Sequence, residues 1–584
     1  MYYDFTVDIP QVKGKIITRK KGTSTYILFQ YGQNYNAEKQ YCIPQRTVIG
    51  KVSPDDPRKM YPNEKYPEYF PETAMPEELP EAYRSCCLKI GSYMVIRNVL
   101  EEYHLPQLLY KRLGSKCGLF LDLVSYLIVD EENAGQYYPD FAYSHPLFSE
   151  EMKIYSDSTV SRLLASIGKE QTLGFLSDWN DKRDHKQRIY LSYDSTNKNC
   201  QAGDIDLVEF GKAKDEKGLP VFNLAIAFDK TNRIPLFYEE YPGSITDVSQ
   251  FTFMVDKVRD YGYRKVGFIL DRGYFSKGNI QYMDRNHFSF IIMVKGCKAL
   301  VSSLVMEYRN TFETRRDCAI RAYKVYGMTT CARLYEDDSS ERWFHIYFNP
   351  SRQAAEREQL EQRIEKLKQF LDKHKGQEVQ FGRTYQDYFV LHYDKNGRFL
   401  YAEERSDVVQ RELELCGYFC IVTSEEMSAS QALVHYKGRD MSEKLFRTDK
   451  TFIGSKSMRS HSEETLSARI FVEFIALIVR NRIYNLLKET LLRLDSRPNY
   501  MSVPAALREL EKIEMVRRSS GQYRLDHAVS KKQKVILNAF GMDENDVRST
   551  ATEISGLLTD DQSLLCSSKT EEDENGQDES IIYD

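Results

Sequence analysis

The segment from Tyr436 to Lys450 constrains this chain more than any other, because four polar residues stand in it at characteristic intervals. It reads YKGRDMSEKLFRTDK and has the form Y-x2-R-x3-E-x6-K, with Glu443 as its acid. If the segment is helical, Arg439 and Glu443 lie on one face, where such a pair is often an exposed salt bridge of little energy. The segment therefore indicates a function only together with acids elsewhere in the chain.

Two aspartates far upstream each end an apolar, strand-like run. Asp194 ends the run 189–194, and Asp271 ends the run 266–271. Strand-end aspartates commonly cap the following turn, so either residue alone indicates little. Together with Glu443, however, they would supply the oxygen ligands that Mg²⁺ prefers. Two divalent ions about 4 Å apart activate an oxygen nucleophile and stabilise the leaving oxygen in phosphoryl transfer.

The composition is that of a globular protein large enough for several domains. The chain has 584 residues, of which 41% are hydrophobic and 29% are charged. Its net charge is -5, and residues 569–584 alone hold seven acids and one lysine. The rest of the chain is therefore close to neutral, which is compatible with local basic patches for a nucleic acid.

Several functional classes are disfavoured by the sequence. The longest apolar run, 470–479, is too short to span a bilayer and contains Glu473, so it predicts a buried helix and no membrane partner. No secretory signal pattern, phosphate-cradling loop or Ser/His/Asp triad is evident, and no nucleotide cofactor is expected. The 11 cysteines show no zinc-finger spacing, so no structural zinc is expected, and their odd number in a long chain without a signal pattern predicts reduced thiols in the cytosol.

Hydrophobic periodicity predicts an α/β core with elements in the order βββαβαβ. The expected strands are 189–194, 221–228, 234–238, 266–271 and 288–294, and the expected helices are 246–261 and 276–285. This order is that of the ribonuclease H-like fold. Its first and fourth strands are neighbours in the sheet, so Asp194 and Asp271 are expected to converge.

The other segments divide the chain around this core. A β-rich region is predicted at 1–78, and a helical region at 79–185 is predicted to bind DNA or to mediate dimerisation. The ribonuclease H-like core occupies 186–297 and 426–495 and is interrupted by a mainly β insertion subdomain at 298–425. A C-terminal helical region at 496–558 precedes an acidic disordered tail at 559–584.

Two N-terminal segments are candidates for DNA contact. The basic run 12–22 leads into an aromatic strand, and the capped segment 155–164 suits a recognition helix. A solvated hairpin and an ordinary capped helix explain the same residues, so both interpretations stay open.

With its motifs in this order, the chain resembles the DDE transposases of bacterial insertion sequences, in the insertion-sequence-four-like group with the Y-x2-R-x3-E-x6-K signature. The resemblance covers residues 186–490. It rests on YDST at 193–196, on LDRGYFS at 270–276 and on the complete signature. Each motif alone is weak, whereas their joint order and spacing are specific.

The resemblance implies roles for the matching residues. The catalytic metal ligands would be Asp194, Asp271 and Glu443, and they would hold Mg²⁺ or Mn²⁺ as two ions. The contacts to transposon-end DNA would come from Tyr436, Arg439 and Lys450, with Arg272 as a further candidate. Trp343 of the insertion would stack on a flipped base, although a position in a β core is the commoner role for a tryptophan.

The resemblance predicts a cut-and-paste DNA transposase. Such an enzyme binds the terminal inverted repeats of an insertion sequence, cleaves the DNA and joins the freed 3′-hydroxyl to target DNA. It would act on double-stranded DNA as a homodimer in the bacterial cytosol or nucleoid. Two alternatives stay open: a domesticated relative that binds DNA without transposition, and a ribonuclease H-like nuclease that cuts without joining.

Overall fold

A computed structural model divides the chain into two compact units. The first comprises residues 1–167 and 479–584, and the second comprises residues 168–478. The structure describes residues 5–22, 24–36, 41–54, 56–63, 65–73, 84–200, 205–211, 218–245, 247–294, 298–338, 340–439, 457–458, 460, 462–494, 498–518 and 521–572. Glu443 and Lys450 lie outside these ranges.

The bounds of the strands and helices are as follows. The strands are β1 (Val7–Asp8), β2 (Ile16–Lys21), β3 (Ser24–Asn36), β4 (Tyr41–Val52), β5 (Lys59–Pro62), β6 (Cys87–Lys89), β7 (Ile189–Cys200), β8 (Val221–Asp229), β9 (Ile234–Pro242), β10 (Val266–Leu270), β11 (Ser289–Met293), β12 (Ala319–Ile320), β13 (Val325–Ala332), β14 (Arg342–Phe348), β15 (Phe389–Tyr393), β16 (Phe399–Glu404), β17 (Tyr418–Thr423), β18 (Ser457–Met458), β19 (Glu514–Arg517) and β20 (Tyr523–Leu525). The helices are α1 (Tyr66–Tyr69), α2 (Gly91–Glu102), α3 (Leu105–Leu113), α4 (Cys117–Val129), α5 (Tyr138–Ser144), α6 (Asp157–Ala165), α7 (Lys169–Asp181), α8 (Asp247–Asp260), α9 (Lys277–Arg285), α10 (Lys298–Tyr308), α11 (Pro350–Lys373), α12 (Arg383–Gln386), α13 (Ser406–Leu415), α14 (Ala429–Lys437), α15 (Glu463–Arg493), α16 (Val503–Leu510), α17 (Lys531–Asn538) and α18 (Glu544–Glu572).

The first unit begins with an antiparallel sheet in the order β1-β5-β4-β3-β2. One face of this sheet packs on a small core that contains Ile27, Ile49, Met60 and Tyr66. Because successive side chains of a strand point to opposite faces, the residues on either side of Ile27 belong to the other face.

The rest of the first unit is mostly helical. Within α4 the carboxylate of Asp122 is fully buried and accepts hydrogen bonds from the backbone N–H groups of Phe148 and Ser149, at 2.5 and 3.3 Å. Burial raises the pKa of Asp122 to about 7. At the C-terminal end, α18 continues past residue 559, where the sequence predicts a disordered tail, and the remainder of that predicted tail lies outside the described residues.

The second unit is built on a mixed sheet of ten strands. The order is β12-β13-β14-β17-β11-β10-β7-β8-β9, and the short β18 also pairs with β7. Neighbours among β7, β8 and β9 are antiparallel, whereas β10 lies parallel to both β7 and β11. The strands that precede the two aspartates are therefore neighbours, as predicted. The expected end of the first strand at Asp194 is wrong, because β7 continues to Cys200 in register with β8.

Residues 298–425 do not form the mainly β subdomain that the sequence predicts. β12, β13 and β14 extend the central sheet, and β17 joins β14 to β11. Between β14 and β17, the helices α11 and α13 pack on the hairpin β15-β16 around a core that includes Leu371, Phe399 and Leu413. The segment is thus mixed α/β, and strand periodicity could not reveal which sheet its strands would join.

Helices cover both faces of the central sheet. Phe251 of α8 packs on one face, with its ring centroid 5.8 Å from that of Phe268 in β10. On the opposite face, Leu433 and Tyr436 of α14 pack in one cluster with Ile269 of β10. Asp271 follows in extended backbone conformation, so strand alternation puts its side chain on the same face as Ile269.

The apolar run 470–479 lies in the long helix α15, as the prediction of a buried helix requires. Its acid, Glu473, is only 2% exposed, and its Oε2 lies 2.7 Å from Nζ of the equally buried Lys198 in β7. The ion pair explains how a carboxylate is accommodated in this run. Among the helices that the structure describes, none is both long and apolar enough to cross a membrane.

Candidate active site

Asp194 and Asp271 occupy equivalent positions on two neighbouring parallel strands. β7 and β10 pair with Tyr193 opposite Leu270, and each aspartate is the next residue along its chain. Tyr193 points to the α8 face, where its ring centroid lies 5.5 Å from that of Tyr274. Alternation therefore directs both carboxylates to the α14 face, from backbones about 4.8 Å apart. This placement suits two oxygen donors of a shared cation.

Local hydrogen bonds orient the two acids differently. Oδ1 of the half-buried Asp194 accepts the backbone N–H of Ser195 at 2.9 Å within β7. Asp271 instead stands between the end of β10 and a 3-10 turn, and its carbonyl accepts the N–H of Tyr274 at 3.0 Å. Its side chain keeps 37% of its surface exposed, which leaves the carboxylate accessible to a ligand.

Helix α14 carries the first part of the signature. It begins with a capping box, in which the hydroxyl of Ser428 accepts the N–H of Gln431 at 3.2 Å and the Gln431 side chain accepts the N–H of Ser428 at 2.9 Å. The helix ends at Lys437, so Arg439 lies in the turn that follows it. The expected helical relation between Arg439 and Glu443 stays a prediction, because Glu443 lies outside the described ranges.

Arg439 connects the signature to the second acidic segment. Its Nη1 lies 3.0 Å from Oδ1 of Asp271, and its guanidinium carbon lies 5.4 Å from the centre of the Tyr436 ring. Tyr436 is 5% exposed and packs in the cluster between α14 and the sheet. The ring therefore supports the guanidinium from the protein interior, and the guanidinium holds the carboxylate.

Lys230 is a residue of this region that the sequence analysis missed. It follows β8, and its Nζ donates to the carbonyls of Val434 and His435 at 3.2 and 3.1 Å, in the last turn of α14. A cation at this end of a helix offsets the partial negative charge of the exposed carbonyls. Burial lowers the pKa of Lys230 to about 8. A lysine in a turn after a strand carries no sequence signal for such a contact.

Gly438 makes room for Lys230. A Cβ atom on Gly438 would stand 1.9 Å from Cε of Lys230, which is far inside van der Waals contact. Gly438 itself has helical backbone angles, so a side chain at this position is opposed by the close approach of Lys230 and not by the backbone conformation. Lys230 therefore packs at the point where the chain leaves α14 towards Arg439.

His435 lies on the same side of the sheet. Its ring centroid is 4.2 Å from that of Tyr190 in β7, a residue that shares the face of Asp194 by alternation. Burial and the positive charges of Lys230 and Arg188 lower the pKa of His435 to about 4. The imidazole is therefore neutral at neutral pH.

The other predicted DNA-contacting residues are more dispersed. Arg272 is exposed in the turn directly after Asp271, so it borders the paired acids. Trp343 is partly buried in β14 and pairs with Cys331 and Thr423, which places it in the central sheet and not in a separate subdomain. Lys450 is outside the described residues.

The two predicted metal ligands that the structure describes, Asp194 and Asp271, fit a divalent cation. In the described ranges no group of three or more His, Cys, Asp or Glu side chains forms a metal site. Two carboxylates on one sheet face provide the hard oxygen donors that Mg²⁺ and Mn²⁺ prefer. The third predicted ligand, Glu443, belongs to the segment that follows Arg439.

A comparison with known protein families identifies the domain in which these residues lie. Residues 192–479 match the family model described as the transposase DDE domain. This match spans Asp194, Asp271 and the whole signature. The chain therefore carries a transposase DDE domain, and the protein is an enzyme of the DDE transposase class.

Among solved structures there is a distant likeness to another transposase. A piggyBac transposase in a synaptic complex with hairpin DNA, solved by cryo-electron microscopy, shares 6% sequence identity over 77% of this chain and 85% of its own, with a TM-score of 0.31. No curated protein matches the sequence.

Proposed function

We propose that the protein is a cut-and-paste transposase of the insertion-sequence-four-like group. In this proposal it binds the terminal inverted repeats of its element, cleaves the DNA there and joins the freed 3′-hydroxyl to a target. The proposal rests above all on the equivalent positions of Asp194 and Asp271 on neighbouring parallel strands, with Arg439 of the signature bonded to Asp271.

Asp194, Asp271 and Glu443 are the residues proposed to hold two Mg²⁺ or Mn²⁺ ions. Bound ions would supply an activated oxygen nucleophile and a stabilised leaving oxygen. Arg439 would hold the Asp271 carboxylate in place and present positive charge to a phosphate beside it. Because Tyr436 is buried beneath Arg439, its proposed contribution to DNA binding is to position that guanidinium.

The remaining proposed contacts to the substrate come from outside this cluster. Arg272 and Lys450 would meet the phosphate backbone, the first from the turn after Asp271 and the second from the end of the signature. Trp343 is the proposed stacking residue for an unpaired base. The proposal also includes a homodimer on DNA, which pairs two element ends, in the bacterial cytosol or nucleoid.

We interpret the five strands β9-β8-β7-β10-β11 as the sheet of a ribonuclease H-like core. Their order and their directions agree with that fold, since three antiparallel strands are followed by two that run parallel to the first. The proposed domain division keeps N-terminal regions at 1–78 and 79–185 and a C-terminal region at 496–558. The core at 186–297 and 426–495 is then extended at one sheet edge by strands of 298–425.

Cleavage of a duplex that carries the element end tests the proposal. The full-length protein is expected to cut this duplex only with Mg²⁺ or Mn²⁺ and to join the product to a second duplex. Asp194→Asn, Asp271→Asn and Glu443→Gln are expected to bind the duplex but to cleave it at least about 100-fold more slowly. Asp260→Asn, an exposed acid at the end of α8, is the control and should cleave like wild type.

Each alternative function has its own outcome in the same experiment. Binding without cleavage by the wild-type protein would favour a domesticated DNA-binding relative, and cleavage without joined product would favour a nuclease. Wild-type rates in all three acid variants would reject the site. Thermal shift on addition of Mn²⁺ gives a second readout, since the acid variants should lose the stabilisation that ion binding brings.

A further inference from the structure

The antiparallel sheet of the first unit has two chemically different faces. One face packs on the core around Ile27 and Met60. The other is defined by the residues that alternate with them, among them Arg19, Tyr26 and Lys51. We call this second surface the basic sheet face.

One row of residues crosses the basic sheet face from strand to strand. Arg19 of β2 pairs with Tyr26 of β3, Tyr26 pairs with Lys51 of β4, and Lys51 pairs with Tyr61 of β5. Cation and aromatic ring therefore alternate across four strands about 4.8 Å apart. Further cations on the same face are Lys15, Lys21 and Arg46, which are all exposed.

The cations of this face lack acidic partners. Among the described residues, Arg19, Lys21 and Lys51 have no ion pair, and Arg46 donates only to the side-chain amide of Gln30 at 3.3 Å. Within the strands β1 to β5 the single acid is Asp8, which stands at the far edge of the sheet opposite Lys59. A face with this composition exerts a positive field, because its cations outnumber the one acid at the edge of the sheet.

We propose that the basic sheet face binds the phosphodiester backbone of duplex DNA. This inference rests on the proposed function for its DNA substrate and adds the surface that holds it. Duplex DNA carries one negative charge per about 1.7 Å of axis, so a rigid row of cations meets several phosphates at once. The capped helix α6 is less suited, because its Arg162 is already bonded to Thr159, with Nη2 and Oγ1 3.0 Å apart.

Contacts of this kind position DNA without reading its sequence. The basic sheet face should therefore contribute equally to the binding of an end-containing duplex and of an unrelated one. Each phosphate that it neutralises should add about 0.9 to the slope of log affinity against log salt concentration.

The test is the salt dependence of duplex binding by the full-length protein, measured with a metal chelator so that no cleavage occurs. The triple variant Arg19→Gln/Lys21→Gln/Lys51→Gln should lower the slope by about 2 to 3, equally for both duplexes. The control Lys366→Gln/Lys368→Gln/Lys373→Gln removes the same charge from exposed positions of α11 and should leave the slope unchanged. If the triple variant does not fold, Arg19→Gln alone should lower the slope by about 0.9. An unchanged slope in this single variant would overturn the inference.

The outcomes separate this inference from the proposed function. An unchanged slope in a folded variant that still cleaves DNA with Mg²⁺ overturns the inference alone. A reduced slope in a protein that never cleaves supports the face and rejects the transposase. Wild-type protein that binds no duplex rejects both, and binding of the face to anionic lipid vesicles in place of DNA also overturns the inference.

Discussion

The guanidinium of Arg439 lies 3.0 Å from the carboxylate of Asp271, although the two residues are far apart in the chain. The contact joins the signature segment to the loop after β10 and so brings two of the three motifs together. Arg439 stands on the buried ring of Tyr436, which restricts the directions in which the guanidinium can point. Arg439 therefore connects the signature to the site independently of the signature's acid, Glu443.

Arg439→Ala is therefore expected to impair catalysis much more than folding. Loss of a preorganised cation beside the reacting phosphate should slow metal-dependent cleavage by about 100-fold. Arg439→Lys should recover part of the rate, because it restores the charge without the planar guanidinium. The unfolding free energy should change by about 1 kcal/mol or less, since the partner carboxylate is partly solvated.

Cleavage rates under single-turnover conditions and urea unfolding measure the two effects. The control is Arg315→Ala, which removes an arginine from the exposed pair with Asp317 and should alter neither quantity. If Arg439→Ala cleaved at the wild-type rate, the contact to Asp271 would be structural only.

Lys230 and Gly438 provide a second test through their close approach. Gly438→Ala puts a methyl group where Cε of Lys230 lies, and it should destabilise the protein by displacing the ammonium from the carbonyls of α14. The expected cost is about 1 to 3 kcal/mol, that of hydrogen bonds to a charged group. In a Lys230→Ala background the same change should cost much less, because the obstructing atoms are gone.

A double-mutant cycle by urea unfolding gives the coupling between these two positions. A coupling of at least about 1 kcal/mol is expected. Additive effects would show that Lys230 moves aside at no cost. Cleavage by Lys230→Ala should also fall, since the chain that leads to Arg439 loses its attachment at the end of α14.

The sequence predicts those parts of the site that depend on local pattern and on strand order. Alternation and apolar runs placed Asp194 and Asp271 at corresponding positions, because parallel strands of known order bring equivalent residues together. The role of Lys230 could not be predicted, because it depends on contact between the turn after β8 and the end of α14, which lies far along the chain. For the same reason, periodicity identified the strands of 298–425 but not the sheet that they extend.

The buried histidine of β14 predicts a specific loss of stability in acid. His345 is fully buried and makes hydrogen bonds to the hydroxyls of Thr329 and Thr423, at 2.9 and 3.0 Å. Burial lowers its pKa from 6.5 to about 4. Between these values the unfolded chain binds a proton that the folded protein does not, so stability falls as the pH falls through this window.

The loss attributable to His345 should approach about 3 kcal/mol by pH 4. Comparison of wild type with His345→Gln by urea unfolding at pH 7 and at pH 4.5 isolates it from other titrating groups. The variant is expected to be less stable at pH 7 but to lose less on acidification. An equal loss in both proteins would place the acid sensitivity elsewhere.

The pair of Lys198 and Glu473 predicts opposite results for single and double substitutions. Both side chains are almost completely buried, with Nζ 2.7 Å from Oε2, so removal of one takes from the other an opposite charge at contact distance in the interior. Lys198→Met should therefore cost about 3 to 5 kcal/mol of unfolding free energy. Lys198→Met/Glu473→Leu should lower the unfolding free energy much less than the single change, because two apolar side chains bring no charge into the interior.

The exposed pair of Lys375 and Asp372 is the matched control, and Lys375→Met should change stability by at most about 0.5 kcal/mol. Urea unfolding of the wild type and the three variants provides the comparison. If the double variant were less stable than Lys198→Met, the charge left on Glu473 would not be what destabilises the single variant. The expected order of stabilities would instead mean that Lys198 allows Glu473 to be buried within the apolar run 470–479.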